Sequence, residues 1–158
     1  MSRSLGLASV MSRALELDGV AKLVQVGLRD VSPEERERAR EEPERVIWHP
    51  DDLIARRRLA GESFPLTVAE IVADLPERVW ISLDIDGLEP GLCPAAGTPV
   101  PGGLSWHECG CLLEVLRDTG REVVGTDLVE LGSSPWDGYV GAKLAYRLAA
   151  LLAGPAAR

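Results

Sequence analysis

Histidine is scarce in this sequence, which holds only His49 and His107 among its 158 residues. His49 stands before a proline at a predicted strand end, and His107 falls in the first turn of a predicted helix, so neither is expected to bind a metal. Cysteine is scarce as well, because Cys93, Cys109 and Cys111 are the only three. Cys109 and Cys111 are two apart on a predicted helix and point in divergent directions, which excludes joint metal ligation. All three are expected to be reduced in a cytoplasmic protein.

Long apolar runs and an excess of basic residues are also missing. No window of about 18 apolar residues exists, which excludes a membrane-spanning helix. Residues 1–13 hold no long apolar stretch, which argues against a secretory signal. The net charge of −8 and the pI near 4.8 exclude a nucleic-acid-binding surface, which needs clustered basic residues. We therefore expect neither a membrane nor a nucleic acid as a partner.

The length and composition are those of one globular domain. Hydrophobic residues make up 46% of the sequence and its mean hydropathy is close to zero at +0.02, so the chain can bury a modest core. Predicted strands alternate with predicted helices along the chain. This order predicts an α/β fold of three layers, with a mostly parallel sheet and helices on both faces. We assign residues 1–153 to one domain and residues 154–158 to a short tail.

Two carboxylates close one of the predicted buried strands. The run VWISLDID, residues 79–86, is rich in β-branched and aromatic residues and ends with Asp84 and Asp86. Residues two apart on a strand share a face, so both carboxylates should project together next to a Gly- and Pro-rich loop over 87–103. Paired hard oxygen ligands suit Mg, Mn or Ca. The alternative is that one Asp caps the following turn and the other meets an arginine.

The loop after these carboxylates carries a specific pattern. SLDIDGLEP followed by GTPVPGGL resembles the signature of the arginase and agmatinase family of manganese-dependent ureohydrolases. The matching positions are Ser82, Asp84, Asp86, Pro90, Gly97, Thr98, Pro99, Pro101, Gly102, Gly103 and Leu104. Glu89 departs from the pattern, which has Asp before this proline. A second matching piece is the predicted strand 122–131, in which Glu130 stands at the glutamate of the family's D-x-V-E run.

The resemblance implies a function and a set of site residues. It implies hydrolysis of a C–N bond in a guanidino or amidino compound at a pair of manganese ions. Asp84 would bridge the ions and Asp86 would hold one of them. Thr98 and Glu130 would bind the substrate. Glu130 would contact the guanidinium group of the substrate. The resemblance also implies that this sequence covers only the C-terminal half of the family's domain.

Several features of the family are missing from this sequence. The family's G-G-D-H and D-A-H-x-D segments, which supply four of the six metal ligands, are absent, and Leu7 stands where the family has a histidine. The isolated chain is therefore expected to be a poor ureohydrolase. A complementary N-terminal chain or a homo-oligomer could supply the missing groups, and the alternative is a non-catalytic relative that binds or regulates a full-length homologue. A third alternative, a haloacid-dehalogenase-type phosphatase, is suggested by LDIDGL, but Leu88 replaces the Thr or Val of that motif.

Overall fold

The computed structural model of the protein describes residues 10–154. Leu7, which replaces the family's histidine, and residues 155–158 of the predicted tail lie outside the described part. The strands are β1 Leu23–Leu28, β2 Val46–Pro50, β3 Arg78–Asp84 and β4 Glu122–Val129. The helices are α1 Val10–Ala14, α2 Pro33–Glu41, α3 Asp51–Leu59, α4 Phe64–Ala73, α5 Trp106–Asp118 and α6 Pro135–Leu152, with one 3-10 turn over Ile85–Gly87.

All four described strands run parallel to their partners. β1 pairs with β2 and β3 pairs with β4, so the described strands form two separate hydrogen-bonded pairs. Because parallel neighbours need a crossover connection, the chain places helices between paired strands. This arrangement confirms the predicted α/β class with parallel strands. Two boundaries differ from the predictions: β3 ends at Asp84 and β4 ends at Val129, each before the next acidic residue.

Capping residues fix where two of the helices begin. Ser32 and Ser105 precede α2 and α5, and each side chain accepts a hydrogen bond from the backbone N–H three residues on. The side chains of Glu35 and Glu108 each accept a hydrogen bond from the backbone N–H of the capping serine, which completes a capping box at each helix. At α5 the capping box follows directly after the loop over residues 87–103.

The main core lies on one face of the β3–β4 pair. Ile81, Leu83 and Leu128 of these strands pack against it. Its buried members come from the loop, from α5 and from α6: Ile85, Leu88, Cys93, Ala96, Leu104, Cys109, Leu113, Val140, Leu144 and Leu148. Cys93, Cys109 and Cys111 are free. The loop is therefore part of the core. Within residues 10–154, no helix has both the length and the apolar content to cross a membrane.

Candidate active site

The strand that carries the candidate site ends at Asp84 and does not include Asp86. Asp84 caps the 3-10 turn that follows, because its Oδ1 accepts a hydrogen bond from the backbone N–H of Asp86 at 2.9 Å. The prediction that both carboxylates lie on one regular strand is therefore wrong. A carboxylate at the N-terminus of a turn satisfies an otherwise unpaired N–H, and this bond turns the chain after Asp84. Asp84 thus has the capping role that the alternative interpretation gave to one of the two residues.

Asp86 is held from two sides. Its Oδ2 accepts a hydrogen bond from the Thr98 hydroxyl at 2.8 Å, and its backbone carbonyl accepts one from the Arg29 guanidinium. Its Oδ1 is buried without a hydrogen-bond partner among the described residues. Nε and Nη1 of Arg29 are also buried without one. A buried carboxylate oxygen without a donor is costly, so this oxygen is suited to an external cation.

Glu130 reaches the same edge of the sheet from β4. It follows the last residue of that strand and has a φ of 58°, and it is the one non-glycine residue with positive φ in the described part of the chain. Its Oε2 lies 3.4 Å from where a Cβ on Gly97 would stand, so its carboxylate lies against the Gly97–Thr98 turn. A backbone conformation this rare for a side-chain-bearing residue is strained and persists where surrounding contacts impose it.

The charges at this edge act on one another. Partial burial, the largest cause, raises the pKa of the Asp84 carboxyl group. The negative charges of Asp86 and Glu130 raise it further, while the hydrogen bond from the Asp86 N–H and the positive charge of Arg29 lower it. The parts of this rise that come from Asp86 and Glu130 reflect repulsion among the three carboxylates. A bound cation would relieve this repulsion.

A complete metal site is not formed by residues 10–154. No three His, Cys, Asp or Glu side chains in this range converge so that they could hold a metal ion. His49 contacts Asp74 instead, with its Nε2 3.0 Å from Oδ2, and His107 is exposed at the start of α5. The described histidines therefore take the places predicted for them. The structure brings Asp84, Asp86, Thr98 and Glu130 to one edge of the β3–β4 pair.

Buried acids support the loop, and sequence reasoning did not assign them a role. Asp137 is fully buried at the start of α6, where its Oδ2 accepts a bond from the Ala95 N–H at 3.1 Å and its Oδ1 accepts one from the Ser134 hydroxyl. Asp51 at the start of α3 is 8% exposed, and its Oδ2 lies beside Gly102. An acidic residue in the first turn of a helix can be recognised in the sequence as a candidate for such a supporting role. The loop that it contacts cannot be recognised in the same way, because it is far away along the chain.

Comparisons with known proteins assign the family. The family model described as "Arginase family" matches residues 2–153. The chain belongs to the arginase family. This membership supports the ureohydrolase interpretation of LDIDGL over the phosphatase alternative.

Relatives in this family are substantially longer than the chain. An N(1)-aminopropylagmatine ureohydrolase of Thermus thermophilus is 44% identical over 110 residues, which cover 69% of this chain and 34% of the relative. One from Synechocystis is 36% identical over 145 residues, covering 89% of this chain and 44% of the relative. The chain thus spans less than half the length of these relatives.

Solved arginase-family structures share the fold. The agmatine ureohydrolase of Thermoplasma volcanium superposes with a TM-score of 0.73 at 29% identity, over 96% of this chain and 50% of that protein. Arginase from Medicago truncatula also gives a TM-score of 0.73 at 26% identity, over 92% of this chain and 44% of that protein. The fold of the described residues is therefore that of part of an arginase-family domain.

Proposed function

We propose that this chain carries the carboxylate half of a manganese-dependent ureohydrolase site, which hydrolyses a C–N bond of a guanidino or amidino compound. The observation that carries the proposal is that Asp84, Asp86 and Glu130 lie at the carboxyl ends of β3 and β4, close enough for the charges of Asp86 and Glu130 to act on Asp84. In α/β folds this edge of the sheet is where ligands bind. The chain is proposed to be inactive, or only weakly active, without ligands from elsewhere.

The donor set suits a hard divalent cation. Asp84 and Asp86 carry oxygen ligands, the type that Mn and Mg prefer, and Oδ1 of Asp86 is buried without a hydrogen-bond partner among the described residues. A bound metal would supply Lewis-acid chemistry, since it lowers the pKa of water enough to provide hydroxide at neutral pH. The two carboxylates fit only part of such a site, because a tightly held metal needs more protein ligands than two.

The remaining residues would bind and orient the substrate. The Glu130 carboxylate is exposed and can accept two parallel N–H bonds from a planar guanidinium group. The Glu130 side chain lies against the loop, with Oε2 at van der Waals distance from the position that a Cβ on Gly97 would take. Thr98 donates its hydroxyl proton to Asp86 and so fixes the orientation of that carboxylate, while its exposed side chain remains available to the substrate.

Two further points extend the proposal. The relatives named N(1)-aminopropylagmatine ureohydrolase suggest a guanidino compound with a cationic polyamine tail as the substrate class. The missing ligands would come from a complementary arginase-family segment. A non-catalytic relative that binds a full-length homologue is the second candidate, and it is favoured by the lack of a third converging ligand within residues 10–154.

Urea release by the pure chain tests the proposal. Manganese-loaded protein without any partner should release no urea above background from arginine, agmatine or N(1)-aminopropylagmatine. Binding of agmatine to the chain, measured separately, should weaken in the Glu130→Gln variant, since this variant keeps the shape of the side chain but loses the charge that attracts guanidinium. Clear turnover by the wild-type chain alone would show that two carboxylates suffice and would refute the half-site proposal.

A further inference from the structure

One arginine contacts both ends of the loop beside the candidate active site. The loop between β3 and α5 is closed by two backbone bonds, since the Leu104 N–H donates to the Gly87 carbonyl and the Glu89 N–H donates to the Leu104 carbonyl, each at 3.0 Å. Arg29 follows the last residue of β1 and reaches this closure from a distant part of the chain. Its Nη2 donates to the Asp86 carbonyl, directly before the loop. The arginine therefore binds the backbone of a candidate metal ligand.

The other end of the loop leaves room for the Arg29 side chain because it consists of two glycines. Gly102 and Gly103 have φ values of 97° and 96°. A Cβ on Gly102 would stand 3.3 Å from Cδ of Arg29, and a Cβ on Gly103 would stand 2.7 Å from its Nη1. The Arg29 side chain thus runs along the backbone of this glycine pair while its Nη2 binds Asp86. Both ends of the loop contact the same guanidinium side chain.

A buried carboxylate lies against the same glycines. Asp51 begins α3 and is 8% exposed, and its Cγ lies 3.5 Å from the position that a Cβ on Gly102 would take. Its Oδ1 has no hydrogen-bond partner among the described residues, and the same holds for Nε and Nη1 of Arg29. Opposite charges in a partly buried place attract one another more strongly than they do in water. The Asp51 carboxylate and the Arg29 guanidinium therefore offset part of the cost of burying each other.

We propose that Arg29 is a positioning residue for the candidate active site and that Asp51 holds Arg29 in place. Arg29 fixes the two ends of the loop relative to each other, and this fixes the backbone of Asp86 and the orientation of its carboxylate. Thr98 lies within the same loop and donates to Asp86 Oδ2, so its position also depends on the closed loop. This inference rests on the proposed function, because it takes Asp86 to be a metal ligand.

Arg29→Met tests whether the arginine holds the loop. Methionine keeps most of the apolar stem but loses the guanidinium group and its bond to the Asp86 carbonyl. Amide hydrogen exchange followed by NMR should become about tenfold faster or more at Asp86, Glu89 and Leu104, the effect expected when a bond to a charged group is lost. The amides of α6 should exchange as they do in the wild type. Circular dichroism and urea unfolding check that the variant folds.

Manganese affinity separates a positioning role from a merely structural one. Mn²⁺ binding to the chain is measured from the EPR signal of the free ion. Loss of a positive charge near Asp84 and Asp86 would by itself tighten Mn²⁺ binding. Loss of the position of Asp86 should instead weaken it by about tenfold or more, the effect typical of groups that orient a metal ligand. Weaker binding in Arg29→Met therefore reports lost geometry, because the change in charge acts in the opposite direction.

Two matched controls are available in the chain. Arg45 is another arginine that donates to backbone carbonyls, those of Leu15 and Val20, which are outside the loop. Arg45→Met should therefore leave the exchange of the loop amides and the Mn²⁺ affinity unchanged. Asp51→Asn should reproduce the faster exchange at the loop. Asp52→Asn removes the same charge from the next, exposed residue of α3 and should not reproduce it.

Three results would overturn the inference. They are loop amides that stay as slow in Arg29→Met as in the wild type, exchange that becomes equally faster throughout the chain, and Mn²⁺ binding that is unchanged or tighter in this variant. A wild-type chain that binds no Mn²⁺ refutes the metal part of the proposed function and leaves the position of Asp86 to be read from its partner. The NMR signal of the Thr98 methyl group should then shift in Arg29→Met but not in Arg45→Met, and an unshifted signal would overturn the inference.

Discussion

Replacing Gly103 by alanine should destabilise the loop that carries the candidate active site. Gly103 has a φ of 96°, a conformation that side-chain-bearing residues rarely adopt. A Cβ at this position would stand 2.6 Å from the carbonyl carbon and oxygen of Leu88 and 2.7 Å from Nη1 of Arg29. Leu88 is buried in the core, so its backbone cannot move aside without disturbing the packing around it.

The magnitude is the sum of two separate costs. The unfavourable φ contributes about 1–3 kcal/mol. Forcing a methyl group into a packed site contributes about 1–3 kcal/mol more. Gly103→Ala should therefore lower the free energy of unfolding by about 2–6 kcal/mol. Because native domains are stable by only about 5–15 kcal/mol, a value at the upper end would leave the chain largely unfolded.

Two other glycines separate these costs. Gly120 has a φ of 71°, and no atom lies within 4 Å of the position that a Cβ would take, so Gly120→Ala measures the backbone cost alone. Gly138 lies inside α6 with an ordinary φ and equally open space, so Gly138→Ala should stabilise the chain by up to about 1 kcal/mol. Urea unfolding followed by circular dichroism gives all three values. If Gly103→Ala lowers the free energy of unfolding by no more than Gly120→Ala does, the result contradicts the close approach of Leu88 to Gly103.

Two further predictions concern acidic residues. Asp84→Asn should raise the melting temperature of the metal-free chain at pH 7, because burial and the charges of Asp86 and Glu130 raise the pKa of this carboxyl group. The penalty exists above the folded-state pKa and disappears as the pH falls through it, so the gain should vanish in acid. Asp137→Ala should cost about 2–4 kcal/mol in urea unfolding, because a buried carboxylate and its bond to the Ala95 N–H are lost.

Each of these predictions has an outcome that contradicts it. A lower melting temperature for Asp84→Asn at pH 7 would mean that the capping bond to the Asp86 N–H outweighs the charge repulsion. For Asp137, the control is Ser134→Ala, which removes one of its partners but keeps the carboxylate and should cost about 1 kcal/mol. Equal losses for the two variants would show that the bond to the loop contributes little.

Local patterns in the sequence account for several elements. The strand β1 coincides with an apolar run, and the capping boxes of α2 and α5 coincide with serines placed three residues before glutamates. The chain turn after Asp84 was missed for a local reason as well. The apolar pattern of VWISLDID predicts one strand that ends at Asp86. In the structure the Asp84 carboxylate accepts a hydrogen bond from the Asp86 N–H, and the strand ends two residues earlier.

Motifs and the alternation of apolar residues are enough to predict the family, the α/β class and the acidic residues at the ends of the two strands. The contacts that those acids make depend instead on how distant parts of the chain pack together. The Arg29 bond to Asp86 spans 57 residues, and the Asp137 bond to Ala95 spans 42. The exposure of Trp80 in the middle of β3 likewise depends on which face the helices cover. Contacts between residues this far apart depend on how the elements pack, and no local pattern of residues encodes that packing.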